Sequence, residues 1–376
     1  MRRILWWTFV APLGLLALCA VVLFLFKEKT RRDLDAYKDE IISKGETFDV
    51  ELLAPKAPRE TDEPARSFLA ACEKASQFLR NNRFPNPLPD RLHKDGSFPV
   101  ASFSETARYR NMRDESGNRL PWGEIAEKFE PCEELLSPIR ESALKDKLEF
   151  HPDYSLKDEL RMPYSTWLSD SAALFKGDAL IQMKKGDSRR AIEDIETILR
   201  IGQIFQKQPL LMCQVSAFWS YRDAAGLTWQ LIHSRSANGP QLLALQQSWQ
   251  TVDALADMAP TIRMESANTV FLFSDPDRLL GFYIGDIPRS QVNISKLKPL
   301  DQAKALASFA AWRWVLRHLD ERRSLKALQE ALRVIEDNRT AANLPKLHSE
   351  VRRISNEVRI RRFLFSVHPC HSRFPW

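Results

Sequence analysis

The sequence predicts an all-α protein. Of its 376 residues only 12 are glycine, 44% are hydrophobic, and the apolar positions recur every three or four residues. Alternating apolar and polar residues, the pattern of a half-buried strand, are almost absent, so the period indicates helices. The roughly 340 residues after the opening segment exceed the usual size of a single core. We therefore expect two packed lobes or one elongated helical array.

The chain opens with a long apolar segment. Residues 4–26 form a run of 23 without a charged side chain, after a short tail at 1–3. A helix of that length spans roughly 34 Å, which is enough to cross the hydrocarbon core of a membrane. A cleaved signal peptide would need small residues before the cut, and a lipoprotein would need one before Cys19, where Leu18 stands. The sequence therefore predicts an uncleaved transmembrane anchor.

Basic residues on both sides of this segment bear on its orientation. Four of them lie within 27–32, against Arg2 and Arg3 before the segment, and the positive-inside rule taken alone places the body in the cytoplasm. A short basic N-terminus is also typical of a signal anchor, and long domains cross the membrane largely regardless of charge. We therefore expect a single-pass protein with its body on the periplasmic, outer side of the cytoplasmic membrane.

The net charge of +6 is unevenly distributed along the chain. Residues 1–32 carry +5 and residues 296–376 carry +9, which leaves −8 for residues 33–295. This distribution is typical of attraction to anionic lipid headgroups rather than of a surface that binds a duplex. No basic stretch is interleaved with aromatic residues, as binding of single-stranded nucleic acid would require. We expect membrane lipid around residues 4–26 as a partner, and no nucleic acid.

The five cysteines form no short-spaced pair, which excludes a zinc ribbon and a disulfide-dense scaffold. Cys72 and Cys213 lie on apolar helical faces, where a cysteine serves as a small buried hydrophobe. The chain also lacks a Walker loop, a G-x-G-x-x-G turn, an H-E-x-x-H helix and a G-x-S-x-G elbow. We therefore expect no cofactor.

Proline and glycine divide the next part of the chain into helical regions. The region 27–61 holds a juxtamembrane helix that ends at Gly45, followed by a Pro-rich linker. The region 62–160 is helical, with Asp62 as the N-cap of its first helix and a long Pro-rich loop at 81–104.

Residues 161–260 are predicted to form helical hairpins. The clearest one lies at 165–206, where two amphipathic helices flank a short polar turn. Gly186 can end the first helix in a left-handed conformation, and Asp187 or Ser188 can cap the second.

The turn in this hairpin resembles the turn within tetratricopeptide (TPR) repeats. Gly186 and Ala191 stand in a G-x₄-A arrangement that returns at Gly239 and Ala244, 53 residues later, rather than at the interval of about 34 of a regular array. The resemblance implies a TPR-like, α-solenoid-like body of stacked αα-hairpins.

The whole layout resembles a group of uncharacterised, membrane-anchored helical proteins of environmental bacteria. The resemblance covers most of residues 1–260 and is carried by the anchor, "LDAYKDEIISKGETFDVELLAPKAP", "DEPA" and "KKGDSRRAIEDIETILRIGQIFQKQPLLMCQVSAF". It implies a helical protein of the envelope and no particular activity. Members often end in an "HG-x-[YF]-P" turn, whereas the basic, helical region 261–376 ends in "HSRFPW", which predicts a truncated or shifted C-terminus.

Two clusters are candidates for chemistry. One is a set of carboxylates in a loop rich in aromatic residues, glycine and proline, where a desolvated member could act in acid–base catalysis. Helix capping is the favoured explanation for its first members, with Asp275 as the cap of a helix that starts at Pro276 and Asp277 in its first turn. The other is a set of metal-ligand types on the C-terminal tail, although neighbours on a Pro-bent tail rarely converge without distant partners. The carboxylates are Asp275, Asp277 and Asp286, and the metal-ligand candidates are His368, Cys370 and His371.

Tryptophans at helical spacing indicate packing between helices more than stacking on a ligand, although tryptophan is also enriched in interfaces. These residues are Trp219, Trp229, Trp249, Trp312 and Trp314.

Two functions fit these observations. The preferred hypothesis is a membrane-anchored scaffold of the cell envelope whose stacked hairpins bind a protein partner. The alternative is an envelope enzyme of an unrecognised family that uses the carboxylates at 275–286. The first predicts an extended helical surface, and the second predicts a closed pocket that brings Asp275 or Asp277 within hydrogen-bond reach of a histidine or arginine. The sequence favours the non-enzymatic role.

Overall fold

The computed structural model describes residues 2–55, 63–81, 122–145, 148, 163–275, 312–337 and 349. Within these ranges every regular element is helical, which confirms the predicted all-α class. The chain divides into two compact units: unit 1 is Met1–Ala54 with Ile262–Trp376, and unit 2 is Pro55–Thr261.

In chain order, the described helices are α1 (Arg2–Ser43), α2 (Val50–Leu53), α3 (Glu63–Asn81), α4 (Trp122–Phe129), α5 (Cys132–Lys145), α6 (Pro163–Lys185), α7 (Ser188–Gln206), α8 (Leu211–Ser234), α9 (Gly239–Gln250), α10 (Met258–Ser274) and α11 (Arg317–Asp337). A π-helical turn at Trp312–Leu316 directly precedes α11.

The predicted anchor lies in the first half of α1, which continues without a break into the juxtamembrane helix. The large apolar side chains described between 13 and 26 are exposed. Side chains at 2–12 and at 16 lie outside the described ones. Among the described residues, no helix is both long enough and apolar enough to cross a membrane.

The second half of α1 packs against α11 within unit 1. Leu34 is buried in this contact. Lys38 forms an ion pair with the buried Glu321, and Arg322 Nη1 lies 3.2 Å from Asp33 Oδ2. The helix ends where the sequence predicted, because Gly45 follows it with a φ of 88°, a conformation that suits glycine at the end of a helix.

The predicted hairpin in unit 2 is formed by α6 and α7. Gly186 has a φ of 83°, and Asp187 caps α7 by accepting a hydrogen bond on Oδ1 from the backbone N–H of Arg190 at 3.0 Å. Ala179 and Ala191 are fully buried where the two helices meet. Small side chains at these points allow close approach, so the local prediction is confirmed in detail.

The second turn, around Gly239, is built differently from the turn at Gly186. The helix α8 ends at Ser234, and the following Arg235 adopts a left-handed conformation with a φ of 52°. Gly239 is instead the first residue of α9, whose N-cap is Asn238 in a capping box with Gln241. Side-chain oxygens on both capping residues satisfy backbone N–H groups, so the glycine is not needed to end the preceding helix.

The core of unit 2 lies between successive helices. The helix α3 packs on α5 and α6, α7 packs on α5 and α6, and α8 packs on α6 and α7, with α9 against α7. One continuous buried cluster runs through these contacts, and its fully buried members include Phe68, Leu136, Phe175, Ile195 and Ala224. Cys72 and Cys213 belong to it, as the sequence predicted, with free thiols.

Candidate functional site

A buried ionic cluster joins three helices of unit 2. Arg140 of α5 donates from Nε to Asp194 Oδ1 of α7 at 2.8 Å, and its Nη2 lies 2.6 Å from the same oxygen. Nη2 also donates to Asp178 Oδ2 of α6 at 3.1 Å. The side chain of Asp194 is 0% exposed and that of Arg140 is 5% exposed. We call these three residues the buried ionic cluster.

The hairpin explains why the two carboxylates meet. Asp178 and Asp194 lie on the facing sides of α6 and α7, so the turn between them brings them together, and α5 supplies the arginine from outside the hairpin. Gln182, one turn after Asp178, donates from Nε2 to Asp178 Oδ1 at 2.8 Å and holds that carboxylate. Arg140 also lies over the ring of Phe175, 5.3 Å from its centroid.

Two further charges border the cluster on its exposed side. Arg190 of α7 forms a short contact with Glu133 of α5, and its Nε lies 3.9 Å from Asp178 Oδ2.

Burial, followed by the charge of Asp178, raises the pKa of the neighbouring Cys132 thiol to about 12. That thiol is therefore protonated and unreactive at neutral pH.

The electrostatics of the cluster centre on Asp194. Burial first, and then the neighbouring Asp178 carboxylate, raise the pKa of Asp194 well above its usual value, and Arg140 opposes them. Asp194 Oδ2 accepts no hydrogen bond from the described residues, which adds to the cost of charging it. Because Asp194 has no exposed surface, a substrate cannot reach it. The cluster therefore holds α5, α6 and α7 together.

The raised pKa of Asp194 predicts a specific pH dependence of stability. In the unfolded chain the carboxyl titrates near its ordinary value of about 3.9, so between that value and the higher folded pKa the folded protein binds more protons. This contribution to stability is fully present below the unfolded pKa and is lost as the pH rises through the folded pKa. We expect Asp194→Asn to remove that loss. Urea unfolding of both proteins across this pH range measures it.

Glu265 and Glu321 also contribute to the pH dependence of stability, so their effect has to be separated from that of Asp194. Burial raises the pKa of each carboxyl as well, but both are present in the wild type and in Asp194→Asn. Their contribution cancels in the difference between the two proteins. Parallel stability curves for the two proteins would contradict the raised pKa of Asp194.

A second buried ion pair joins α6 to α8. Lys176 Nζ lies 3.3 Å from Asp223 Oδ1, and the lysine is buried. Arg222 donates to the same carboxylate oxygen at 3.1 Å. This pair ties α8 to the hairpin.

That exposed surface of α8 is apolar. Met212 is 70% exposed and Trp219 is 45% exposed, although both lie on a helix whose other side enters the core. We define the α8 apolar surface by the large apolar side chains that α8 exposes, which are Leu211, Met212, Phe218, Trp219, Trp229 and Ile232.

The spacing within the α8 apolar surface is regular. Leu211, Phe218, Ala225 and Ile232 follow one another at intervals of seven, and all four are exposed. Met212, Trp219 and Gly226 form a second row at the same interval beside the first. With Val215 and Trp229, the first row gives the alternating three- and four-residue spacing that a second helix packs against in a coiled coil, and Arg222 occupies the remaining position of that repeat. The arrangement suits the binding of a helix.

The prediction that the tryptophans pack between helices holds for some of them and is wrong for others. Trp249 is half-buried and donates from Nε1 to Thr228 Oγ1 at 3.1 Å. Trp219, Trp229 and Trp314 are exposed. Helical spacing cannot distinguish the two outcomes, because it identifies a face of a helix without showing what covers that face. The seven-residue rows of α8 are the signal that could have found this surface.

The candidate residues of the sequence analysis fall mostly outside the described ranges. Asp275 is described and lies directly after the end of α10, where it is half-buried. Asp277 and Asp286 lie outside, and so do all three metal-ligand candidates: His368, Cys370 and His371. Within the described ranges, no group of three or more metal-ligand side chains is placed to hold a metal ion.

Known protein families, characterised proteins and solved structures were each compared with the chain, and none of the three comparisons finds a match.

Proposed function

We propose that this protein is a membrane-anchored helical scaffold of the cell envelope that binds a partner protein through the α8 apolar surface. The single observation that carries the proposal is the exposure of that surface, including Trp219 and Trp229. Aromatic anchors of this kind dominate the binding energy of protein interfaces. A contiguous exposed apolar patch on a folded domain marks an interaction site more often than a random surface.

The packing of unit 2 supports this role. Its helices pack in succession, with α3 on α5 and α6, α6 on α7, α7 on α8, and α9 back on α7, and this succession supports a stack of helical hairpins. In a stack of this kind the terminal helices need a polar outer face to remain soluble. The exposed side of α8 is apolar instead, so another molecule is expected to cover it.

The chemistry of the surface indicates a helix as the bound element. Its seven-residue rows include Leu211, Phe218, Ala225 and Ile232, which with Val215 and Trp229 give the three- and four-residue spacing of a coiled-coil seam. Ala225 and Gly226 lie in the middle of these rows, and a Cβ built at Gly226 would meet no atom within 4 Å. Small residues between larger aromatic ones permit close helix approach, so the partner is expected to present an apolar helical face.

Membrane anchoring through residues 4–26 belongs to the same proposal. Its support is the uncharged run in the sequence and the exposed apolar side chains along the first half of α1, which need a non-aqueous environment. We place the body on the outer side of the cytoplasmic membrane, for the reasons given from the sequence. Alkaline phosphatase fused after residue 60 tests this orientation, because the phosphatase is inactive if the body is cytoplasmic.

Site-specific photocrosslinking of the full chain in its own membranes tests the binding surface. Benzoylphenylalanine at Trp219 or at Trp229 should crosslink to one and the same protein. The control is Gln247, an exposed polar position on α9, which should give no such product. With the reporter at Trp229, Phe218→Gln should weaken binding by about 2 kcal/mol, or roughly thirtyfold. Equal crosslinking at Gln247, or none at Trp219, contradicts the proposal.

A further inference from the structure

The apolar part of α1 ends where α11 begins to contact it. The exposed apolar residues reach Phe26, and Lys27 is the next residue. The Lys27 ammonium lies over the ring of Trp314, 5.1 Å from its centroid. Trp314 belongs to the π-helical turn that precedes α11, so folding brings a tryptophan distant in sequence to the polar end of the apolar stretch.

Trp314 stays largely accessible in this position. Its side chain is 45% exposed in spite of the contact with Lys27. The neighbouring Trp312 is held differently: its Nε1 donates to Asp320 Oδ2 at 2.8 Å, and its ring lies 6.1 Å from that of Phe273. Trp312 therefore holds the turn to unit 1, and Trp314 is exposed on its surface.

His318, four residues after Trp314, is influenced by charged groups at this end of the contact between α1 and α11. The pKa of His318 is lowered, first by burial and then by the adjacent Arg317, with further contributions from Arg31 and Lys27, while Asp35 opposes them. The four groups come from both helices, α1 and α11. Three of these four groups are cations, and the one anion, Asp35, lies 3.8 Å from Arg31.

Tryptophan and basic residues have defined places in a membrane protein. Tryptophan concentrates at the headgroup level, where its ring is half in contact with lipid and half with water. Basic residues next to a span are attracted to anionic headgroups, each by about 1 kcal/mol. At about 1.5 Å per residue, Lys27 lies within one residue of the end of the apolar stretch and therefore at that level.

We propose that the π-helical turn and the first turn of α11 form a second contact with the membrane, in which Trp314 inserts at the headgroup level and Lys27, Arg31 and Arg317 bind anionic headgroups. This inference rests on the proposed anchoring through residues 4–26. It adds that unit 1 lies against the bilayer surface through a part of the chain remote in sequence from the anchor.

Depth-dependent fluorescence quenching of the full chain in vesicles tests the contact. The environment-sensitive probe NBD is attached to a cysteine introduced as Arg313→Cys, which leaves Trp314 in place, in a background with Cys19→Ser and Cys370→Ser. The thiols of Cys72, Cys132 and Cys213 react poorly, since burial raises the pKa of each to about 12. The lipids are phosphatidylcholine with and without phosphatidylglycerol, with nitroxide-labelled lipid as the quencher.

Two reference positions make the result interpretable. Arg333→Cys places the same probe at an exposed position 16 residues further along α11 than Arg317, or roughly 24 Å away. Native Cys19, labelled in a Cys370→Ser chain, reports on the anchor itself. We expect quenching at Cys19 and at position 313, stronger with phosphatidylglycerol, and none at position 333. Trp314→Ala should abolish the quenching at 313, and Lys27→Gln should raise the phosphatidylglycerol requirement about fivefold.

Each other outcome overturns a defined statement. Quenching at Cys19 alone overturns the second contact and leaves the anchor in place. Quenching at none of the positions overturns the anchor and the second contact together. Equal quenching at 313 and 333, or quenching at 313 that ignores both phosphatidylglycerol and salt, overturns the specific role of the tryptophan and the cations.

Discussion

Replacing Arg140 with methionine is expected to lower the free energy of unfolding by about 3–5 kcal/mol, because it leaves buried carboxyl groups without their cation. Arg140 makes three close contacts with Asp178 and Asp194, and both carboxyls are buried. Methionine fills a similar volume, so the loss is electrostatic rather than one of packing. Urea unfolding of the detergent-solubilised chain, followed by circular dichroism, measures the change.

Two variants separate this effect from the general removal of an arginine. Arg66→Met removes an arginine whose ion pair with Glu63 is exposed, and such pairs contribute at most about 1 kcal/mol. Replacing Arg140 with methionine together with Asp178→Leu and Asp194→Leu removes the charges as a group and should restore most of the lost stability. If Arg140→Met costs no more than Arg66→Met, the cluster does not hold the three helices together.

Replacing Gly202 with alanine is expected to lower the free energy of unfolding by about 1–3 kcal/mol through overpacking. A Cβ at this position of α7 would lie 2.5 Å from Tyr221 Cε1 and 2.9 Å from Cδ1. The ring has little freedom to move, because Tyr221 is buried and its hydroxyl donates to Gln206 Oε1 at 2.5 Å. Alanine is also more favourable than glycine within a helix by about 1 kcal/mol. The variant is therefore destabilised only if the clash with Tyr221 costs more than this gain.

The matched control for this change is Gly226→Ala on α8. A Cβ there meets nothing within 4 Å, so the same substitution should raise stability by about 0.5–1 kcal/mol. Adding Tyr221→Leu to Gly202→Ala should recover part of the loss caused by the clash, because the shorter side chain makes room for the Cβ. Thermal unfolding of the four proteins compares them. Opposite signs for the two alanine variants are the expected result, and equal effects would mean that Tyr221 yields without cost.

The predictions from sequence that hold are local ones. The hairpin of α6 and α7, the end of α1 before Gly45 and the cap at Asp187 all depend on residues within a few positions of each other. Left-handed glycines and capping carboxylates act through backbone hydrogen bonds of the same turn. The recurrence of the G-x₄-A spacing at Gly239 does not identify the caps of the second turn, where Asn238 and Gln241 cap α9 and Arg235 follows the end of α8.

Interactions between distant residues could not be read from these patterns. Arg140 lies 54 positions from Asp194 and 38 from Asp178, and nothing near any of them marks a partner. The same applies to Gly202, because the ring of Tyr221 on the next helix leaves no room for a Cβ at this position. Side chains on one helical face repeat every 3.6 residues whether that face meets a core, a membrane or water.

The sequence by itself determined that this chain is helical, where its clearest hairpin turns, and that it opens with a long uncharged run. Those properties follow from composition, periodicity and the chemistry of single turns. Only the tertiary structure decided that three charged residues from separate helices meet in a buried cluster and that one side of α8 stays exposed. Burial and exposure depend on which helices pack together, and that depends on contacts between residues far apart in the chain.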